Sequence, residues 1–199
     1  RSSRTRHQGG EVPLPERDRP VAVVLTVVLI SMIPLGFMLW GFARDMVVSG
    51  SMTGVIIVSL AFILLVGLGV ASVCGYMAGL IGASNSPISG VGILVVLVAA
   101  LLIKLAYGAV GGDETVKLVA YTLFTASIVF GIATISNDNL QDLKTGQLVG
   151  STPWKQQVAL VIGVVFGSPI IPPVIQLMQS DFGFQGSPGA GATSLQART

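Results

Sequence analysis

Five long apolar runs constrain the fold of this chain more than any other feature. Each run is close to the length that an α-helix needs to cross a hydrocarbon layer ~30 Å thick, which is about 20 residues. A helix satisfies its own backbone hydrogen bonds in lipid, whereas irregular or edge-exposed backbone does not. The sequence therefore predicts an all-α, polytopic transmembrane helical bundle in a lipid bilayer. The predicted spans cover about residues 21–42, 55–83, 88–107, 116–135 and 154–178.

Composition agrees with this prediction and excludes other classes of protein. Hydrophobic residues make up 52% of the chain and charged residues only 10%, whereas soluble domains carry roughly 25% charged residues. The net charge is only +2 and the basic residues are scattered, so no nucleic acid is expected as a partner. The outer surface of the fold is instead expected to face lipid.

The chain has one cysteine, Cys74, and one histidine, His7. A single cysteine forms no intrachain disulfide and no thiolate cluster, and Cys74 lies in an apolar run, as a buried hydrophobic residue does. A lone histidine in a polar stretch does not support a histidine metal site or a Ser-His-Asp triad. The sequence therefore indicates no enzyme of these types, no metal site and no cofactor.

Polar stretches flank the apolar region. Residues 1–20 contain five arginines, three acidic residues and three prolines without apolar periodicity, which predicts a polar loop or leader. Residues 179–199 are rich in Gly, Ser and Pro, which predicts a flexible tail. The distribution of loop Lys and Arg favours a cytoplasmic leader, and we expect a multi-pass protein of the plasma (inner) membrane. The missing initiator Met favours an internal piece of a larger protein.

Small residues recur every fourth position in the second run. This spacing places them on one helix face, where another helix backbone can approach closely, as in small-xxx-small packing of membrane helices. The pattern predicts a tightly packed bundle. The residues are Gly67, Ala71, Gly75, Gly79 and Ala83.

The same run ends in a polar break formed by Ser84, Asn85, Ser86 and Pro87. Irregular backbone at membrane depth is tolerated only where it is buried in protein or lines a water-filled cavity, and transporters place substrate sites at such breaks. The break therefore predicts either an interrupted or re-entrant segment that borders a substrate cavity, or an ordinary turn at the membrane interface. The residues alone leave both interpretations open.

A polar connection over residues 136–157 follows the fourth run. We predict a short amphipathic helix over 137–146, with Asn137 or Asp138 as its cap and Gly146 just beyond its end. Asp138 and Asp142 are four residues apart and share a helix face. Two neighbouring carboxylates can share a proton or a cation, although a helix cap beside a solvated carboxylate explains the same residues.

The residues after this connection predict a helix start and then a helix break. Thr152 is expected to cap a helix with Pro153 at its first position. Trp154 and Lys155 suit a membrane interface. The fifth run then contains Pro169, Pro172 and Pro173, which predict a broken or strongly kinked span.

Two of these stretches resemble the oligopeptide transporter family, which includes the plant yellow-stripe-like metal-chelate carriers. Residues 75–90 read G-Y-M-A-G-L-I-G-A-S-N-S-P-I-S-G, which is similar to the glycine-rich signature of that family. Residues 137–146 read N-D-N-L-Q-D-L-K-T-G and are followed by T-P-W-K-Q-Q at 152–157, which resembles a second family motif. The resemblance runs from about residue 70 to 173, and family members are several times longer.

The resemblance implies a secondary transporter that moves small peptides, or metal chelates in the yellow-stripe branch, usually coupled to protons. It also implies that the remaining helices of a full-length transporter, or an oligomer, complete the assembly. The alternatives are a noncatalytic or truncated membrane fragment and, less favoured, an intramembrane enzyme. We assign substrate binding to Tyr76, Ser84, Asn85, Ser86 and Pro87, and coupling to Asp138, Asp142 and Lys144.

Overall fold

The computed structural model describes residues 21–46, 52–108 and 111–183, and these residues are almost entirely helical. The predicted leader at 1–20 and most of the predicted tail at 179–199 lie outside the described residues. Within these described ranges, five helical stretches are long and apolar enough to cross a membrane. The predicted all-α, multi-span fold is therefore confirmed.

Six α-helices and two short 3-10 turns make up the described chain. One 3-10 turn, Ala83–Asn85, separates α2 from α3, and the other, Ser168–Ile170, separates α5 from α6. The helices are α1 (Val21–Met46), α2 (Met52–Ile81), α3 (Ile88–Tyr107), α4 (Asp113–Leu148), α5 (Pro153–Gly167) and α6 (Ile171–Phe182).

The described residues up to Pro153 form one compact unit, built around α2 and α4. These two helices run parallel, because Gly67 lies beside Ile132 and Gly75 lies beside Leu140. Deep in this unit the Tyr121 hydroxyl donates to Ser59 Oγ at 3.0 Å. The third helix, α3, packs against both, and its buried residues are Gly92, Val95, Ala99 and Ile103.

Only the C-terminal half of α1 is anchored in this unit. Leu39 and Ala43 are buried, and the Phe42 ring stacks on Phe124 with 4.3 Å between the ring centroids. In contrast, nearly every side chain of residues 21–30 is exposed. Pro34 lies inside α1, which remains one continuous helix.

The predicted short helix at 137–146 is wrong, because α4 continues without interruption from the apolar run to Leu148. Asn137 therefore lies inside the helix and caps nothing, and Gly146 is helical and buried. The helix ends instead at Leu148, and Gly150, two residues later, has a left-handed φ of 76°. Ser151 N–H donates to Gly146 O at 2.8 Å and Gly150 N–H donates to Gln147 O at 3.3 Å. These two bonds form a Schellman motif, which satisfies the last carbonyls of the helix.

The described residues from Trp154 to Gly183 form a second compact unit. Pro153 is the first residue of α5, as predicted from its fixed φ and missing N–H. The predicted interruption of the fifth run is also confirmed, because the 3-10 turn at Ser168–Ile170 divides it into α5 and α6. Lys155 Nζ lies 5.9 Å from the centroid of the exposed Trp154 ring.

Candidate functional site

The candidate site lies where two parallel helices of opposite character run side by side. Ser136 on α4 contacts Ala71 on α2, and these residues are 65 positions apart in the chain. The pairs 67 with 132 and 75 with 140 keep the same spacing. The polar segment of α4, residues 136–148, therefore lies alongside the apolar end of α2, residues 71–81.

Both helices are longer than a hydrocarbon layer is thick. With 30 residues α2 is ~45 Å long, and with 36 residues α4 is ~54 Å long, whereas the layer is about 30 Å. In α4 the apolar stretch 116–135 alone matches this thickness. In α2 no charged residue occurs from Met52 to Ile81. The apolar end of α2 thus extends beside carboxylates of α4.

The two helices approach closely because glycines of α2 have no side chain at the contact. Ser136 Oγ donates to the Ala71 carbonyl at 2.7 Å. A Cβ at Gly75 would lie 2.7 Å from Ser136 Oγ and 3.1 Å from Leu140 Cγ, and one at Gly67 would lie 3.1 Å from Ile132 Cδ1. The predicted close approach is confirmed at these positions. It does not extend to Gly79, where a Cβ would meet nothing within 4 Å.

Asn137 is the buried polar residue of this site, with only 2% of its surface exposed. Its Nδ2 donates to Asp138 Oδ1 at 3.4 Å, and its Oδ1 is buried without a hydrogen-bond partner among the described residues. The sequence interpretation treated Asn137 as a cap and missed this burial. The signal was present, because Val129, Ala133 and Asn137 recur every fourth position and all three are buried.

The predicted coupling residues lie on the polar segment, and each of their side chains is exposed. Asp138 and Asp142 are one turn apart on a continuous helix and share a face. Lys144 follows Asp142 by two positions, which places it on a different face, and its Nζ donates to Gln147 Oε1 at 3.0 Å. The structure therefore groups the two carboxylates but separates the lysine from them. No set of three His, Cys, Asp or Glu side chains that could hold a metal ion occurs in the described part of the chain.

The predicted substrate residues lie at the 3-10 turn between α2 and α3. Gly82 begins the break with a left-handed φ of 86°, a conformation that costs glycine little. Asn85 Nδ2 lies 3.5 Å from Ile81 O, and Ser86 Oγ is buried without a hydrogen-bond partner among the described residues.

This turn packs against both α2 and α4. Ser84, Asn85 and Pro87 are exposed, and Tyr76, on α2 before the turn, has 67% of its side chain exposed. The break is therefore attached to the α2–α4 pair, and its polar residues lie mostly on the surface of this unit.

Comparison with known proteins identifies a family for this chain. The sequence matches the family profile described as OPT oligopeptide transporter protein over residues 12–199. The chain belongs to the oligopeptide transporter family. The match includes both stretches on which the resemblance rests and all of the helices described above.

A curated relative covers part of the chain. A protein of Haemophilus influenzae, described as a candidate oligopeptide transporter, is 54% identical over 126 residues. That alignment covers 61% of this chain and 20% of the relative, so the chain spans about a fifth of the relative's length. No solved structure matches the chain.

Proposed function

We propose that this chain is part of a secondary active transporter that carries small peptides across a plasma (inner) membrane and couples their movement to protons. The observation that carries the proposal is the parallel pairing of the polar segment of α4 with the apolar end of α2. Membership in a family of transporters supports the substrate class. Metal chelates are the substrate variant, as in the yellow-stripe branch.

The paired helices need two different surroundings, because exposing apolar side chains to water and exposing carboxylates to lipid both cost free energy. Leaving large apolar side chains such as Val73 and Leu80 of α2 exposed to water, instead of burying them, costs roughly 1.5–3 kcal/mol each. Placing a carboxylate of α4 in lipid costs about 2.5–3.5 kcal/mol or more. Both needs are met when the apolar face of α2 contacts lipid or other helices while the polar face of α4 borders a water-filled cavity. A transporter needs such a cavity at membrane depth.

In this proposal the two ends of the site have different roles. Ser84, Asn85, Ser86 and Pro87 border the substrate cavity with Tyr76, because serine and carboxamide groups can hydrogen-bond peptide amides. We assign exchange of the coupling proton to Asp138 and Asp142, because their carboxylates lie one turn apart on the exposed polar face of α4. Lys144 is the weaker candidate of the coupling group, because it faces away from the carboxylates.

The test is uptake by the intact transport protein, purified by a tag on this chain and reconstituted in liposomes. We expect accumulation of small peptides that rises when an inward proton gradient is imposed. Replacing Asp138 or Asp142 by Asn is expected to reduce accumulation at least tenfold while peptide binding changes less. Absent uptake across a broad peptide panel would contradict the transport function. Gradient-independent uptake would contradict the coupling alone.

A second candidate function is favoured by one finding, namely that this chain aligns with only a fifth of the relative's length. In this alternative the chain is a helical piece that packs with other helices and carries no solute itself. Size and subunit composition in detergent discriminate between the two. A species that contains only one copy of this chain is expected to show no uptake.

A further inference from the structure

The proposed function gives no role to the fifth span, which is interrupted by a 3-10 turn. With 15 residues α5 is ~22 Å long, and with 12 residues α6 is ~18 Å long, so neither helix alone crosses a layer of about 30 Å. Together they lie within one apolar stretch, Pro153–Asp181. The 3-10 turn at Ser168–Ile170 falls in its middle, and residues 168–173 are all exposed in this unit.

Covalent structure leaves one carbonyl in this turn without a donor from its own chain. A helical carbonyl accepts from the N–H three or four residues later. For Pro169 these residues are Pro172 and Pro173, and proline has no N–H. The next N–H, that of Val174, serves the Ile170 carbonyl in the α-helix that begins at Ile171. The Pro169 carbonyl oxygen therefore needs a partner from outside the helix, since lipid supplies none.

The chemistry of the turn favours a cation or an N–H donor over an anion. The C-terminal end of α5 points its negative dipole end at the turn. A helix N-terminus normally offers free N–H groups to anions, but two of the first three residues of α6 are Pro172 and Pro173. The turn thus presents acceptors, the Pro169 oxygen and the Ser168 hydroxyl, and few donors.

We propose that residues 168–173 form a second polar site, in which the Pro169 carbonyl oxygen and Ser168 Oγ bind a small cationic group at membrane depth. Its source is the terminal ammonium of a substrate peptide or an inorganic coupling cation such as sodium. The peptide source rests on the proposed transport function, whereas the sodium source does not.

Two variants test the site in the intact protein purified by a tag on this chain. Pro173→Ala supplies the Pro169 oxygen with an N–H from its own helix, and Ser168→Ala removes the hydroxyl without changing the backbone. Pro34→Ala is the matched control, because it also removes a proline inside an apolar helix. Binding is measured by ligand-induced thermal shift for a dipeptide, for its N-acetylated form and for sodium chloride against choline chloride.

We expect both site variants to weaken binding of the free-amine dipeptide or of sodium roughly tenfold or more, and Pro34→Ala to leave both unchanged. A change for the dipeptide but not for its acetylated form assigns the ammonium, and a change for sodium alone assigns the inorganic cation. Unchanged binding of both, or equal weakening in all three variants, would overturn the site. Wild-type protein that binds no dipeptide refutes the peptide source, and sodium then decides the cation site alone. The transport proposal is decided separately, by uptake across the broad peptide panel.

Discussion

Gly75 lies at a point of α2 where no side chain has room. Its neighbours across the interface are Ser136 and Leu140, and Ser136 is held in place by its bond to the Ala71 carbonyl. Close contact of backbones replaces the hydrophobic driving force that membrane helices lack. The residues that contribute most to this packing are therefore the smallest ones.

Replacing Gly75 by alanine is expected to destabilise the protein by about 1–3 kcal/mol, because the added methyl overlaps Ser136 Oγ. The double variant with Ser136→Ala is expected to lose less than the sum of the two single variants, since the smaller residue relieves part of the overlap. Unfolding in detergent measures both effects. Gly79→Ala, which has open space, is the control and is expected to be neutral or stabilising.

The buried carboxamide of Asn137 gives a second prediction at this scale. Asn137→Leu is expected to raise the free energy of unfolding by about 1 kcal/mol, because it removes an oxygen without a hydrogen-bond partner among the described residues. Asn137→Asp introduces a charge at the same buried position and is expected to destabilise the protein by several kcal/mol. Equal unfolding midpoints for the two variants would show that the site is hydrated.

At the scale of elements, the accuracy of the sequence interpretation depended on local covalent constraints. Pro87 and the prolines at 169, 172 and 173 correctly marked two interruptions, since proline lacks the backbone N–H that a helix uses. The single Pro34, in contrast, leaves α1 continuous. The connection after residue 135 was misread because its polarity was taken as the end of the fourth span, followed by a separate short helix. Ser136 to Leu148 contains no proline, and a polar helix face is stable when its other face is packed, as Asn137 and Gly146 are.

The end of α4 provides a test of what terminates this helix. Gly150→Ala is expected to cost roughly 1–2 kcal/mol, because its left-handed φ places a Cβ too close to the following carbonyl. Gly163→Ala is a matched control within α5, where a Cβ would meet nothing within 4 Å. Denaturant unfolding of the two variants compares them. Similar losses of stability would argue against the Schellman end of the helix.

At the scale of the molecule, the sequence could identify the membrane spans but not their register. Apolar length alone predicts five crossings, whereas the side-by-side placement of residues 71–81 and 136–148 arises from tertiary contacts between distant parts of the chain. Asp138 and Asp142 were correctly expected on one face. Lys144 was wrongly grouped with them, although its position two residues after Asp142 places it on a different face of any helix through this segment.

Labelling with a membrane-impermeant thiol reagent tests the proposed cavity. Thr145 and Leu80 are both exposed, and they lie at the same depth because they keep the register of Ser136 with Ala71. Thr145→Cys is expected to react at least tenfold faster than Leu80→Cys, since the first borders water and the second lipid or protein. Cys74 is buried and is expected to contribute little background. Equal rates would contradict a cavity on the α4 side alone.

The four-residue spacing of Gly67, Ala71, Gly75 and Gly79 places a small residue every ~6 Å along α2, so α4 could fit against α2 in several positions of similar shape. Shape alone does not determine which of these positions α4 occupies. The hydrogen bond between the Tyr121 and Ser59 hydroxyls determines it, because sliding α4 along α2 by one turn would break this buried bond. Alignment of the two helices is thus decided by a polar contact far from the glycines, while the glycines decide only how closely the helices approach.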